Sequence, residues 1–183
     1  MTLQEIEWTP KARAVLAAAD ELFYARGIHA VGVELVAERA GVTKKTLYDR
    51  FGSKDRLVVA YLEGRTARWR VVLEEHLEAA GDDPETRLSA VFDASAAWAA
   101  SDGPRGCGMI NAHAEITDPA HPAYAVITGE KAWMLALFAD IVGDHAAPAV
   151  MLLHEGALSA SGMGAVPDAF AVARDAALRL VEV

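Results

Sequence analysis

The chain has 183 residues, enough for a sizeable core in one domain or in a small domain joined to a medium one. With 53% apolar and 23% charged residues its composition is that of an ordinary soluble globular protein, and its single cysteine, Cys107, excludes an intrachain disulfide. The net charge of −9 opposes nucleic-acid binding only if it is spread evenly, and it is not: residues 1–66 sum to +1, residues 67–183 to −10, and Arg39–Arg56 alone to +4.

Abundant alanine, few aromatics and no alternating strand pattern predict an all-α chain of about nine helices. The N-terminus holds Glu5 and Glu7 and no apolar stretch of the kind a secretory signal needs. Thr9-Pro10 reads as an N-cap followed by proline at the first helical position. Val15, Ala18, Leu22 and Phe23 then share a face, and Gly27 stops the helix. A second helix fits Val33–Ala40 and ends at Gly41. Thr43 caps a third that runs through Tyr48 to Phe51. Ser53 caps a long fourth, with Asp55 in its first turn, to about Ala79. Gly81-Asp82-Asp83-Pro84 starts a fifth helix that ends near Asp102-Gly103-Pro104. Met109–Ile116 is short. Tyr124–Val142, Pro148–Ser161 and Pro167–Val181 complete the set. The longest purely apolar stretch, Ala132–Ala139, is too short to span a bilayer, and a reducing cytoplasm is the expected location.

Residues 33–51 carry the functional signal. A helix, a tight turn at Gly41 and a second capped helix make a helix-turn-helix. Ala37 is small where two helices approach, and Val42 and Leu47 fill the angle between them. Thr43, Lys44, Lys45, Thr46 and Tyr48 then face outward, suited to a major groove. The run Ala40-Gly41-Val42-Thr43, Thr46-Leu47-Tyr48, Phe51-Gly52-Ser53-Lys54 resembles the TetR family of bacterial transcriptional regulators, over residues 10–60 in detail. The resemblance implies a DNA-binding domain at 1–54 and a ligand-binding and dimerisation domain at 55–183. It implies DNA contacts by Thr43, Lys44, Lys45, Thr46, Tyr48 and Lys54. Arg50 stands where that family often has histidine and adds a phosphate-binding cation. Gly32 replaces the family's Ser or Thr cap. Asp49 sets a negative charge on the recognition helix, either accepting from a cytosine amino group or shielding Arg50.

The same resemblance implies operator DNA as partner, a small-molecule effector and no cofactor. The expected pocket draws on Trp69, Phe92, Trp98, Cys107, Met109, Asn111, His113, Tyr124, Trp133, Met134 and Phe138, although each aromatic taken singly also reads as core. Pro148–Ser161 and Phe170–Val181 are the expected homodimer helices; Val150, Leu153, Ala157 and Ala160 follow helical spacing, and an intrachain core is the alternative. Cys107 lies in Arg105-Gly106-Cys107-Gly108, where a cation can lower a thiol pKa. In the constellation His113, Glu115, Asp118 and His121, the His-x-Glu spacing puts the first two side chains on different faces of a helix, so joint ligation needs help from the turn that follows, and no metal is expected. No phosphate loop or nucleophile–base set favours an enzyme. The competing readings are a helical protein-interaction module and a thiol-dependent enzyme pairing Cys107 with His113.

Overall fold

The computed structural model describes residues 6–181, so Glu5 lies outside the described residues. Eight helices follow in order: α1 (Pro10–Arg26), α2 (Val33–Arg39), α3 (Lys44–Phe51), α4 (Lys54–Ala80), α5 (Pro84–Ser101), α6 (Gly108–Glu115), α7 (Pro122–Gly162) and α8 (Ala169–Val181). Local capping chemistry sets several of the starts. Thr9 Oγ1 accepts from the Ala12 amide at 3.2 Å, with Pro10 in the first turn. Ser53 Oγ accepts from the Arg56 amide at 3.1 Å, and Asp83 accepts from the Thr86 amide at 2.9 Å. Each satisfies an amide that has no partner inside the helix.

The expected ninth helix is the second half of α7. At Gly143 the backbone leaves the helical region (φ 80°, ψ 157°), dividing α7 into residues 122–142 and 144–162. Glycine adopts this left-handed φ without a Cβ clash. The expected start at Pro148 is therefore corrected to the residue after Gly143; Pro148 sits inside the second arm. Helix α8 begins at Ala169, two residues beyond the expected Pro167, after Asp168 at φ 51°. By length and composition alone α7 is apolar enough to cross a bilayer, with mean hydropathy 1.4 over 18 residues, of which 22% are buried. The break at Gly143 and the charges of Asp140, Asp144 and Glu155 interrupt its two arms.

Packing groups the chain into two units, Met1–Ala67 with Gly108–Thr128, and Arg68–Cys107 with Gly129–Val183. In the first, α1, α2 and α3 pack on one another around Val15, Leu22, Phe23, Val36, Leu47 and Phe51, all buried. Phe23 meets Tyr61 edge to face at 5.6 Å. The Arg65 guanidinium lies 4.0 Å from the centroid of the Tyr24 ring, a cation–π contact inside the unit.

In the second unit, α5 packs along α8. Phe92, Phe138, Leu73, Leu88 and Val150 are fully buried. Val150 and Ala157, expected on the dimer face, belong to this core, because they project toward the chain's own interior. The same arm of α7 leaves Leu152 exposed (74%), and α8 leaves Val172 and Leu180 exposed.

A polar group sits at the centre of this apolar core. His154 is buried, with the rings of Phe92 and Phe138 edge-on at 5.7 and 5.5 Å. Ser95 Oγ donates its one proton to the Val91 carbonyl at 2.8 Å. His154 Nε2 lies 2.8 Å from the same hydroxyl, and the buried Nδ1 faces Glu155 Oε1 at 3.6 Å. Burial holds the His154 pKa below its usual value, against the opposing pull of Glu155. The unfolded chain then binds a proton that the folded chain refuses, so stability is present above pH 6.5 and declines as pH falls below it. His154→Gln keeps a polar partner for Ser95 but cannot titrate. Urea unfolding between about pH 7 and pH 5.5 should show a shallower loss of stability in this variant than in the wild type. Equal slopes would show that His154 takes up its proton in the folded state as readily as in the unfolded one.

The end of α7 meets the loop before α6 at backbone contact distance. A Cβ at Gly162 would lie 2.5 Å from the Gly106 nitrogen and 2.7 Å from its Cα. Neither atom belongs to a flexible side chain, so the loop would have to move. Gly162→Ala should cost about 1–3 kcal/mol in chemical denaturation, as overpacking does elsewhere.

Candidate nucleic-acid interface

Helix α3 has eight residues, and its start and orientation come from different groups. Thr43 is the N-cap in extended conformation (φ −81°, ψ 153°); its Oγ1 accepts from the Thr46 amide at 3.1 Å and lies 3.0 Å from the Thr46 hydroxyl. Leu47 and Phe51, one turn apart, are fully buried and hold the helix against α1 and α2. At 100° per residue this places Lys45 and Asp49 on the opposite, outward side, with Thr46 and Tyr48 flanking them. Thr43, Lys44, Lys45 and Tyr48 are exposed and Thr46 partly so. The sequence-expected contact residues of α3 thus form one continuous surface around its N-terminal turn.

That surface is electrically self-compensated. Lys44 Nζ makes a close ion pair with Glu34 of α2 and lies 5.8 Å from the centroid of the Tyr48 ring. Lys45 Nζ is 2.8 Å from Asp49 Oδ2 at i,i+4. Arg50 pairs with Glu7. Arg39, at the end of α2, makes a two-pronged pair with Glu21 of α1, at 2.8 and 3.0 Å. The hydrogen bond with Lys44 holds the Glu34 carboxyl below its usual pKa and raises that of Lys44. Of the two roles expected for Asp49, shielding Arg50 is corrected: its carboxylate faces Lys45, because i+4 aligns those two side chains.

Lys54 is placed differently from the rest. Its Nζ donates to the Ile28 carbonyl at 2.6 Å and lies 5.9 Å from the centroid of the Phe23 ring. The amine ties the α1–α2 connection to the start of α4. From α6, Glu115 completes that tie: its carboxylate accepts from the amides of Ile28 (2.9 Å) and His29 (2.6 Å) and from the His29 ring. Burial raises the Glu115 pKa, but the two amides and His29 outweigh it and the net shift is downward. Sequence reading weighs Glu115 only as a metal ligand; the structure uses it as a clamp on backbone 86 residues away. His121, of the same constellation, faces Asp55 at 3.4 Å, and His113 stacks near Tyr124 at 5.7 Å. Among the described residues no group of three such side chains could hold a metal ion.

The expected pocket residues divide between the two units. Met109, Asn111, His113 and Tyr124 belong to the first, where Met109 is buried and Asn111 and His113 are exposed. The others belong to the second. Trp69 and Trp98 meet edge to face at 6.1 Å, Phe92 and Phe138 flank His154, and Met134 is buried. Trp133 carries the Arg70 guanidinium 4.1 Å from its ring centroid. Cys107 is half-buried, and the cation beside its sulfur is Lys131, at 3.3 Å, itself paired with Glu155 at 2.7 Å. Sequence reading misses Ser95, His154, Glu155 and Lys131. The available signal is His154 itself, a polar residue on the otherwise apolar stripe of Val150 and Ala157.

Residues 15–61 match the family described as bacterial regulatory proteins, tetR family. A TetR-family transcriptional regulator from Streptomyces coelicolor superposes with a TM-score of 0.82 at 29% identity, covering 94% of this chain and 93% of that one. A TetR transcriptional regulator from Streptomyces avermitilis gives a TM-score of 0.74 at 30% identity, over 93% of this chain and 98% of that one. The HTH-type transcriptional activator FasR of Mycolicibacterium smegmatis is 49% identical over 49 residues. That match takes in 27% of this chain and 22% of FasR, so the chain spans about a fifth of that relative.

The Glu115 clamp has a measurable cost of removal. Glu115→Ala should destabilise by about 1–3 kcal/mol near neutral pH, the range for hydrogen bonds to an ionised acceptor. The lowered carboxyl pKa makes this contribution present above pH 4.5 and lost as pH falls below it. Urea midpoints of variant and wild type should therefore draw together as pH falls below 4.5.

Proposed function

Since the chain belongs to the TetR family of bacterial transcriptional regulators, we propose that it binds a near-palindromic operator as a homodimer and represses transcription until a small molecule releases it. The observation that carries this reading is the Thr43-capped helix α3, turned by its two buried side chains so that Thr43, Lys44, Lys45, Thr46 and Tyr48 share one exposed surface. Residues 1–54 are the DNA-binding domain, and residues 55–183 bind the effector and dimerise. Two copies of α3 enter successive major grooves about 34 Å apart. Lys44, Lys45 and Arg50 exchange their carboxylate partners for phosphates or base edges; the Tyr48 hydroxyl serves a phosphate. Lys54 acts through the α1–α2 connection it holds, with its positive charge near the same groove.

The dimer surface is built from the second arm of α7 and from α8. Exposed Leu152 on α7 and Val172 and Leu180 on α8 support it, as large apolar side chains that a partner subunit would cover. Gly156 and Ser159, on the same side as Leu152, permit close helix approach. The effector site draws on the aromatic residues of α4, α5 and α7. Effector and operator oppose each other through a coupling that is equal in both directions. Glu115 supplies a mechanical link within this scheme, because a shift of α6 is felt directly at the amides of Ile28 and His29. The protein works on DNA in the cytoplasm, with no membrane partner, no cofactor and no catalytic step.

Two variants test the surface in opposite directions. Lys44→Ala with Tyr48→Phe should weaken operator binding by about ten-fold or more and flatten its salt dependence by roughly one unit of slope. Glu34→Gln, which frees Lys44, should strengthen binding by about two- to five-fold at low salt. Fluorescence anisotropy on the promoter DNA beside the protein's own gene reads both; unchanged affinity in both variants across a salt series would dismiss the surface. FasR is described as an activator. A reporter driven by the bound promoter, with and without the regulator, fixes the sign, and repression is the expected result.

A further inference from the structure

One groove in the second unit joins apolar walls to an acidic rim. It has a volume of about 430 Å³ and runs between α4, the first arm of α7 and the start of α5. Its apolar walls are two pairs at helical spacing, Leu73 and Leu77 on α4 and Trp133 and Leu137 on α7. Leu73 is buried, whereas Leu77, Trp133 and Leu137 retain partial exposure toward the groove. Beside the α4 pair stand Glu74 and Glu78, one helical turn apart, and Asp82, past the end of α4, extends the rim; all three are exposed.

Charge decides what such a groove holds. Arg70 at one end is neutralised: its Nη2 donates to the buried Glu130 carboxylate at 2.7 Å and its guanidinium covers Trp133. Arg87 at the other end keeps its charge and donates to the Gly81 carbonyl at 3.3 Å. The three carboxylates of the rim make no ion pair among the described residues, so they outnumber the one uncompensated cation by two. An anionic effector would meet this row as a like charge. A neutral one would leave it unused.

We propose that this groove binds an amphipathic organic cation, its apolar body against Leu73, Leu77, Trp133 and Leu137 and its positive charge toward Glu74 and Glu78. This rests on the regulator reading for its biological meaning and makes the cation the effector of the operator-release step. The interaction combines apolar burial with long-range attraction from a row of carboxylates, and the second component is weakened by salt.

The test uses two probes of the same shape and opposite charge, tetraphenylphosphonium and tetraphenylborate, with the full-length protein and titration calorimetry. Phosphonium should bind at least about ten-fold more tightly than borate. Glu74→Gln with Glu78→Gln, an exposed pair that leaves the core untouched, should weaken phosphonium binding by about ten-fold, roughly three-fold for each carboxylate. Arg87→Gln should strengthen it. Borate binding as well as phosphonium, no phosphonium binding, or an affinity indifferent to the Glu74→Gln/Glu78→Gln pair would overturn the assignment. Operator binding is measured on the same samples. Intact operator binding with no phosphonium binding removes the groove and leaves the regulator; phosphonium binding that does not loosen the operator leaves the groove and removes its role as the effector site.

Discussion

The burial of Leu47 and Phe51 is the constraint on which the DNA-facing half of this protein depends. An eight-residue helix has no independent stability in water, because so few hydrogen bonds offset the cost of nucleating it. The Thr43 cap supplies one compensation and the two apolar anchors supply the larger one. The anchors also settle rotation: with both on the inner side, Lys45 and Asp49 have to point out. Stability and presentation of the recognition surface therefore come from the same two side chains.

The second unit is organised around an opposite kind of group. His154 and Ser95 place a hydrogen-bonded polar pair among Phe92, Phe138 and the surrounding aliphatics. Such a pair adds little net stability compared with a packed apolar core, and it is only partly satisfied: Nε2 meets Ser95, while the buried Nδ1 has no hydrogen-bond partner and faces Glu155 Oε1 at 3.6 Å. The adjoining Lys131–Glu155 pair, with Cys107 at its edge, continues that polar run toward the surface.

How much of this is legible in the sequence follows from how far each interaction reaches along the chain. The caps at Thr9, Thr43, Ser53 and Asp83 act within three residues, and their positions are readable or nearly so from the local pattern. The Lys45–Asp49 pair is one helical turn long, but a sequence offers two neighbours for Asp49 and only the helix geometry selects Lys45. The Glu115 clamp joins residues 86 and 87 apart, and the Ser95–His154 bond joins residues 59 apart. No local pattern announces such partners. Pro148 misplaces a helix start for a related reason: proline and glycine both punctuate helices, and here the positive φ of Gly143 sets the break five residues earlier. Residue type alone reads Trp69, Trp98, Phe92 and Phe138 equally as pocket wall or as core, and their burial, complete for Phe92 and Phe138 and partial for Trp69, is visible only in the structure.

The ion pairs on α2 and α3 have a consequence for how such a molecule finds its target in a cell. A genome offers a vast excess of wrong sequences, and every unshielded lysine lengthens the time spent on each of them. With Lys44 held by Glu34, Lys45 by Asp49 and Arg50 by Glu7, the free protein meets random duplex with much of its cationic charge already engaged. Under the proposed contacts, only a site that rewards all three exchanges at once would hold it. In that scheme the carboxylates would trade grip for turnover, shortening futile stops and leaving a larger share of molecules free to sample the next stretch of chromosome.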